Sequence, residues 1–361
     1  MEINNLGPGP TSRGLAPTMG QDCRGKVLVV IPNYNGLKHI ERCLNSVLAQ
    51  IYQPLEIVVV DNASTDGSER LIQEKFPQIR FIQSGANVGW GIACNTGMRA
   101  AQSEYIVLMN NDAYLETDCI KELVKAVNLN PRYGSAASRI LLWDEPEKTE
   151  VCGLVIYPDG SSCGRGRLGP ADRFMQTEEV FCANDCCNLY RRSMIDEIGD
   201  YDPDFFIYCD ETDMGWRHQM AGWKCIYTPQ ALAYHAHSQS AGSYSAFKAY
   251  HVERNRILIC FKYFPLSMLM MSFIYSAWRY FSMWRIAAFE KKGALAHYQK
   301  HSSLGSGLSI LFKAHWDAFR KWPVMWQRRR EIFRKRKISN ADIRHLFTRF
   351  GITTRQMAGY E

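Results

Sequence analysis

The chain has 361 residues, 46% of them hydrophobic and 12% aromatic, enough to bury one large core with an appendage and too apolar for a disordered protein. Its net charge of +7 conceals opposite halves: residues 1–245 carry 21 basic and 30 acidic side chains (net −9), and residues 246–361 carry 22 and 6 (net +16). The twelve cysteines have no extracellular spacing framework, which argues against a disulfide scaffold and for a reducing, cytoplasmic location.

Residues 1–24 are rich in Gly and Pro and are expected to be a flexible tail with no signal peptide. From Lys26 onward, apolar runs alternate with helical patterns: VLVVIPNYN, a helix over 40–50, LEIVVVD, a helix over 68–76, IRFIQS, a helix over 91–102, and YIVLMNND. Such alternation predicts βαβ units and a mostly parallel sheet. A helix near 118–128, a strand over 134–142 and a Gly/Ser-rich hairpin or loop over 151–170 follow. A carboxylate-rich block, GDYDPDFFIYCDETDMGWRHQM, precedes a short strand ending at His235. The expected organisation is a tail (1–24), a catalytic domain (25–245) and a basic helical region (246–361). In that last region the sixteen uncharged residues between Lys262 and Arg279 are too few to span a bilayer. They suit either a helix in the membrane interface or one docked on the protein's own core.

Strand ends in a doubly wound sheet converge on one edge. Here they offer Pro32-Asn33-Tyr34-Asn35, Asp61 to Gly67, Ser84 to Gly89, and Asn110-Asn111-Asp112. Neither GxGxxG after the first strand nor GxxxxGK[ST] occurs, which disfavours a dinucleotide fold or a P-loop. A nucleotide held by its base, ribose and a metal-bridged diphosphate fits better. Asp61 can accept from base or ribose, Asp112 can ligate Mg²⁺ or Mn²⁺, and His235 can complete the metal shell. Asp210 and Glu211, beside aromatics and each other, suit a general base for an alcohol. A capping box in which Asp210 caps the following helix and Asp213 stands third is the structural alternative.

Together IPNYN, VVVDNASTDGS, NVGWGIACNTG, LMNND, YDPDFFIYCDETDMGWR and ERNR resemble the inverting family 2 glycosyltransferases of GT-A fold, in their rhamnosyltransferase-like branch, over Lys26 to Phe264. The resemblance implies an α/β fold, a GT-A-type mostly parallel sheet sandwiched by helices, to which the composition of residues 246–361 adds a helical, basic, membrane-associating C-terminal extension. It also implies metal-assisted transfer of a sugar, rhamnose in the branch it resembles, from a dTDP- or UDP-type donor to a glycan or lipid-linked acceptor, with inversion. Carried onto this chain, donor binding falls on Pro32, Asn33, Tyr34, Asp61, Asn87, Gly89, Asn95 and Asn111, and the divalent metal, Mg or Mn, on Asp112 and His235. The base falls on Glu211 with Asp210 as alternate. Acceptor contacts fall on Asp185, where relatives carry a small residue, and on Trp216 and Arg217. The basic, aromatic C-terminal region adds the expectation of a peripheral place on the inner face of the cell membrane, with an anionic membrane surface and no nucleic acid as partner. Two other readings stand beside this one: a sugar-phosphate nucleotidyltransferase, which lacks its cationic loop here, and nucleic-acid binding by the basic stretch from Arg320 to Lys337.

Overall fold

A computed structural model describes residues 24–236, 245–290 and 304–359; the expected tail, apart from Arg24, lies outside them. The β-branched runs of β1 (Val27–Asn33), β2 (Leu55–Asp61), β3 (Arg80–Gln83) and β4 (Tyr105–Met109) form a parallel set in the order β3-β2-β1-β4. Their crossovers are α1 (Ile40–Leu48), α2 (Ser68–Lys75) and α3 (Trp90–Arg99). Val27, Val29 and Ile31 face a core shared with α1, whereas Leu28 and Val30 face α3, so β1 is apolar on both sides, as a central parallel strand must be. Helix α3 approaches so closely that a Cβ on Gly97 would lie 2.2 Å from Val30.

Beyond β4 the sheet becomes mixed. After β5 (Ala113–Leu115) and α4 (Cys119–Val127) come β6 (Tyr133–Leu142), β7 (Thr149–Val151) and the hairpin of β8 (Leu154–Ile156) with β9 (Ser162–Gly164). Next are β10 (Glu178–Val180), β11 (Cys187–Arg191), α5 (Arg192–Ile198), α6 (Asp210–Met220) and β12 (Lys224–His235). The main sheet runs β10-β12-β6-β11-β4-β1-β2-β3, with β11 antiparallel to both of its neighbours and β6 parallel to β12.

The C-terminal helices are α7 (Ala246–Tyr263), α8 (Leu266–Arg285), α9 (Leu304–Arg320), α10 (Trp322–Lys335), α11 (Asn340–Phe350) and α12 (Thr354–Ala358). Charges and amides bind α7 to the sheet domain. Lys262 pairs with Asp202 and Asp213, while Glu253, Arg256 and Arg279 of α8 form a buried cluster with Asp159 from the β8–β9 turn. Much of the basic run is engaged internally: Lys321 pairs with Asp204, Arg328 with Asp202 and Asp204, and Lys337 with Glu197, while Arg329 donates to the carbonyls of Phe261 and Phe264. No described helix is long and apolar enough to cross a membrane.

Candidate active site

Asn33 at the end of β1 is fully buried and bolts three strand ends together. Its Nδ2 donates to Asp61 Oδ1 at 2.7 Å and Ser68 Oγ at 2.9 Å, and its Oδ1 accepts from Asn111 Nδ2 at 2.8 Å. Asp61 accepts further from Ser64, through Oγ at 2.6 Å and N at 2.9 Å, and from Gln83 Nε2 at 3.1 Å. These expected donor-binding residues do converge, with Asn33, Asn111 and Asp61 turned toward one another; Pro32 is buried within β1 and Tyr34 is exposed at the rim.

Asn87 Oδ1 accepts from Gly89 N at 3.1 Å, and Gly89 has φ 87°. A Cβ there would stand 2.4 Å from the Phe206 carbonyl oxygen, so only glycine lets this loop approach the segment that carries the carboxylates. Asn95 is buried and exchanges two hydrogen bonds with the Tyr201 backbone, accepting from its N at 2.9 Å and donating to its carbonyl at 2.8 Å. It therefore positions the carboxylate segment instead of opening onto a ligand.

The expected metal pair meets. His235 Nε2 lies 2.9 Å from Asp112 Oδ1, and His235 Nδ1 lies 2.8 Å from Glu150 Oε2, a residue that sequence reasoning missed. Burial would push the His235 pKa down, but Cys186, Glu150 and Asp112 hold it well above its usual value. Because burial pushes the Cys186 thiol itself up to about 12 and keeps it neutral, the two carboxylates supply the stabilising charge. Burial opposes ionisation of Asp112 in turn, and His235 more than compensates, lowering its pKa. A divalent cation here would displace the Nε2 proton of His235; Asp112 Oδ1 and the freed Nε2 would then offer it two donors, with Glu150 on Nδ1 orienting the ring.

The second centre is the start of α6. Phe206, Tyr208 and Cys209 all have positive φ, at 65°, 64° and 59°, a costly run of left-handed residues that the surroundings must enforce. Asn255 enforces it, donating Nδ2 to the carbonyls of Phe205, Ile207 and Tyr208 at 2.7–3.0 Å, and Arg254 Nη2 adds the carbonyls of Asp204 and Phe205. Both belong to the ERNR stretch, whose role in holding this loop could be found only by seeing the fold. The helix N-cap is Cys209, with no side-chain cap, so the expected capping box does not form: Asp210 is the first helical residue, and Asp213 turns to Lys262 and the Tyr263 hydroxyl.

Asp210 and Glu211 converge with Asp185, their ligand oxygens all within 4.8 Å. Asp185 Oδ1 accepts from Asn188 Nδ2 at 2.7 Å and Tyr201 OH at 2.9 Å, and Oδ2 is buried without a hydrogen-bond partner. Burial and then Asp210 raise the Asp185 pKa well above the usual carboxylate range; burial and then Glu211 do the same for Asp210. Burial and Asp185 lift half-buried Glu211 to about 7. Trp216 and Arg217 are not brought into this cluster. Trp216 packs in the core against Phe181, Tyr263 and Phe264, and Arg217 Nη1 donates to the carbonyls of Ile198, Gly199 and Asp200, so the fold takes up both side chains expected to meet an acceptor.

The family model described as glycosyl transferase family 2 matches residues 28–199, which hold the parallel strands, Asp112 and Asp185. The chain carries a family 2 glycosyltransferase domain. Over 252 residues it is 27% identical to the N-acetylglucosaminyl-diphospho-decaprenol L-rhamnosyltransferase of Mycobacterium tuberculosis, an alignment covering 62% of this chain and 80% of the relative. Two solved structures share the GT-A fold of the family 2 domain at low identity. One is the mannosyltransferase PcManGT from Pyrobaculum calidifontis with GDP-Man and Mn²⁺, at TM-score 0.50 and 17% identity over 89% of this chain and 87% of that one. The other is GalNAc-T7 with UDP, GalNAc and Mn²⁺, at TM-score 0.54 and 13% identity over 67% and 48%. The expected GT-A-type α/β fold is thus observed, parallel in its first four strands and mixed beyond.

Proposed function

We propose that this glycosyltransferase inverts the anomeric centre of a nucleotide-diphosphate sugar in a single displacement on an acceptor hydroxyl. The observation that carries this reading is the pairing of Glu211, lifted to about 7, with the separate Asp112–His235–Glu150 centre. A base with a pKa near neutrality is ionised often enough to act and basic enough to take an alcohol proton. Protonated Asp210, hydrogen-bonded to Glu211 and more deeply buried, orients the Glu211 carboxylate, which removes the acceptor proton.

Asp112 and His235 would hold a divalent cation, Mg²⁺ or Mn²⁺, with Glu150 behind the imidazole. When bound, such an ion supplies positive charge against a departing diphosphate, which an otherwise acidic domain lacks. The network of Asn33, Asp61 and Asn111 would shape the donor side, and Tyr34, exposed at the rim, would cover a base. The rhamnosyltransferase relative and the basic, aromatic C-terminal region support a lipid-linked glycan acceptor reached from the membrane surface, with rhamnose on a dTDP or UDP carrier as the first donor to try. The test is thermal stabilisation by a panel of dTDP-, UDP- and GDP-sugars with Mn²⁺ or with EDTA, since a ligand specific to the folded state raises its stability. One nucleotide class should raise Tm only with the metal; no shift with any donor would overturn the reading.

A further inference from the structure

Helix α8 is built inside out. The stripe it turns toward the protein is largely polar: Ser272, Arg279 and Ser282 are buried, with Leu269 as the apolar exception, and Ser276 accepts from buried Arg256 at 3.0 Å. The outward stripe carries Met270, Phe273, Ile274, Trp278, Phe281 and Trp284, with Met270 68% and Trp278 56% exposed. A helix in water places these faces the other way round. Helix α9 buries the small Ala314 and Ala318 and likewise turns large apolar side chains outward, with Phe312 74% exposed beside Trp316 and Phe319. So much contiguous apolar surface marks an interaction site.

Between α7, α8 and α9 an apolar cleft of ≈ 340 Å³ opens among these exposed rings, lined by Ile257, Phe261, Leu269, Phe273, Phe312 and Trp316. Exposed Arg285, Lys313 and Arg320 accompany the apolar face, in a region whose net charge is +16. The like charge disfavours a second copy of this chain as occupant and favours a surface of anionic headgroups over hydrocarbon.

Building on the membrane-peripheral reading above, we infer that the outer face of α8 and α9 seats in an anionic lipid bilayer and that the cleft takes one hydrocarbon chain of a membrane lipid. Helix α7 stands between the active-site loop and the cleft. Asn255 faces the loop before Glu211, whereas Ile257, two residues and about 200° further round the helix, faces the cleft. The carboxylate loop and the cleft therefore lie on opposite sides of α7.

The full-length protein is floated with phosphatidylcholine vesicles with and without phosphatidylglycerol, as wild type and as the Phe281→Glu and Trp284→Glu variants. Wild type should float with the anionic vesicles, and each variant should lose about tenfold or more of its partitioning, the equivalent of one buried aromatic side chain. Vesicles with chain-brominated lipid should quench a fluorescence component that Trp316→Phe lacks; identical quenching in both overturns the cleft assignment. Absence of flotation, or a wild-type dimer that Phe281→Glu converts to monomer, overturns the docking face in favour of no partner or of a second copy. Metal-dependent stabilisation by a nucleotide sugar is measured on the same samples. Flotation without it would leave docking standing and remove the transferase reading, and the converse would remove docking alone.

Discussion

Asp185 sets its carboxylate against Glu211, the two within 4.8 Å of each other and of Asp210, and after burial it is the main cause of the high pKa of Glu211. The three groups titrate together. Asp185→Asn keeps an oxygen for Tyr201 and removes the like charge. The acid limb of kcat/KM, expected near pH 7 in the wild type, should move down by on the order of one pH unit. A pH–rate profile measured with saturating metal checks this.

The same cluster bears on stability. Folded-state pKa values above the unfolded ones mean that the folded chain holds protons the unfolded chain has released, so this contribution is full below the ordinary 4.5 of a Glu and is lost as the pH rises through about 7. Asp185→Asn should therefore raise Tm at pH 8 and have little effect at pH 4. Calorimetry at the two pH values tests the sign.

Asn255 holds three carbonyls of a loop with three left-handed residues. Asn255→Ala should cost about 1–3 kcal/mol of stability and lower kcat by a larger factor than it changes donor affinity, because the carbonyls it releases aim Glu211 and not the nucleotide. Denaturant melts and steady-state kinetics on one preparation separate these effects.

Gly89→Ala places a methyl against the Phe206 carbonyl at a positive φ. A destabilisation of about 1–3 kcal/mol is expected from the overlap, with Gly85→Ala, at positive φ in open space, as the control for backbone strain alone.

Glu150→Gln leaves Asp112 and His235 in place but removes the carboxylate behind the imidazole. Metal affinity, read as the Mn²⁺ concentration needed to support donor binding, should weaken by about 10–100-fold, while binding in EDTA should not change.

The alternation of apolar runs made the parallel half of the sheet legible, because strands buried on both faces read as unbroken Val/Ile/Leu stretches. Asp112 and His235 were legible as residues at strand ends, and they do meet. Glu150 was not, since it sits in a region of turns and short strands where no period marks its direction. Trp216 misled for a related reason: in an amphipathic stretch of mixed carboxylates and aromatics, sequence does not say which residues face the core, and Trp216 does. The inside-out character of α8 was also beyond reach, because its composition suits a docked helix as well as an interfacial one until the partners of Ser276 and Arg279 are seen.

The role of Glu211 as the base is the claim on which the rest depends. The direct measurement is transfer by Glu211→Gln, with a nucleotide-sugar donor and metal identified by stabilisation, alongside the donor affinity of the same variant. The expected result is a fall in kcat of about 10²–10⁴-fold with donor affinity unchanged. Wild-type turnover by Glu211→Gln, or a loss confined to donor binding, would contradict the assignment.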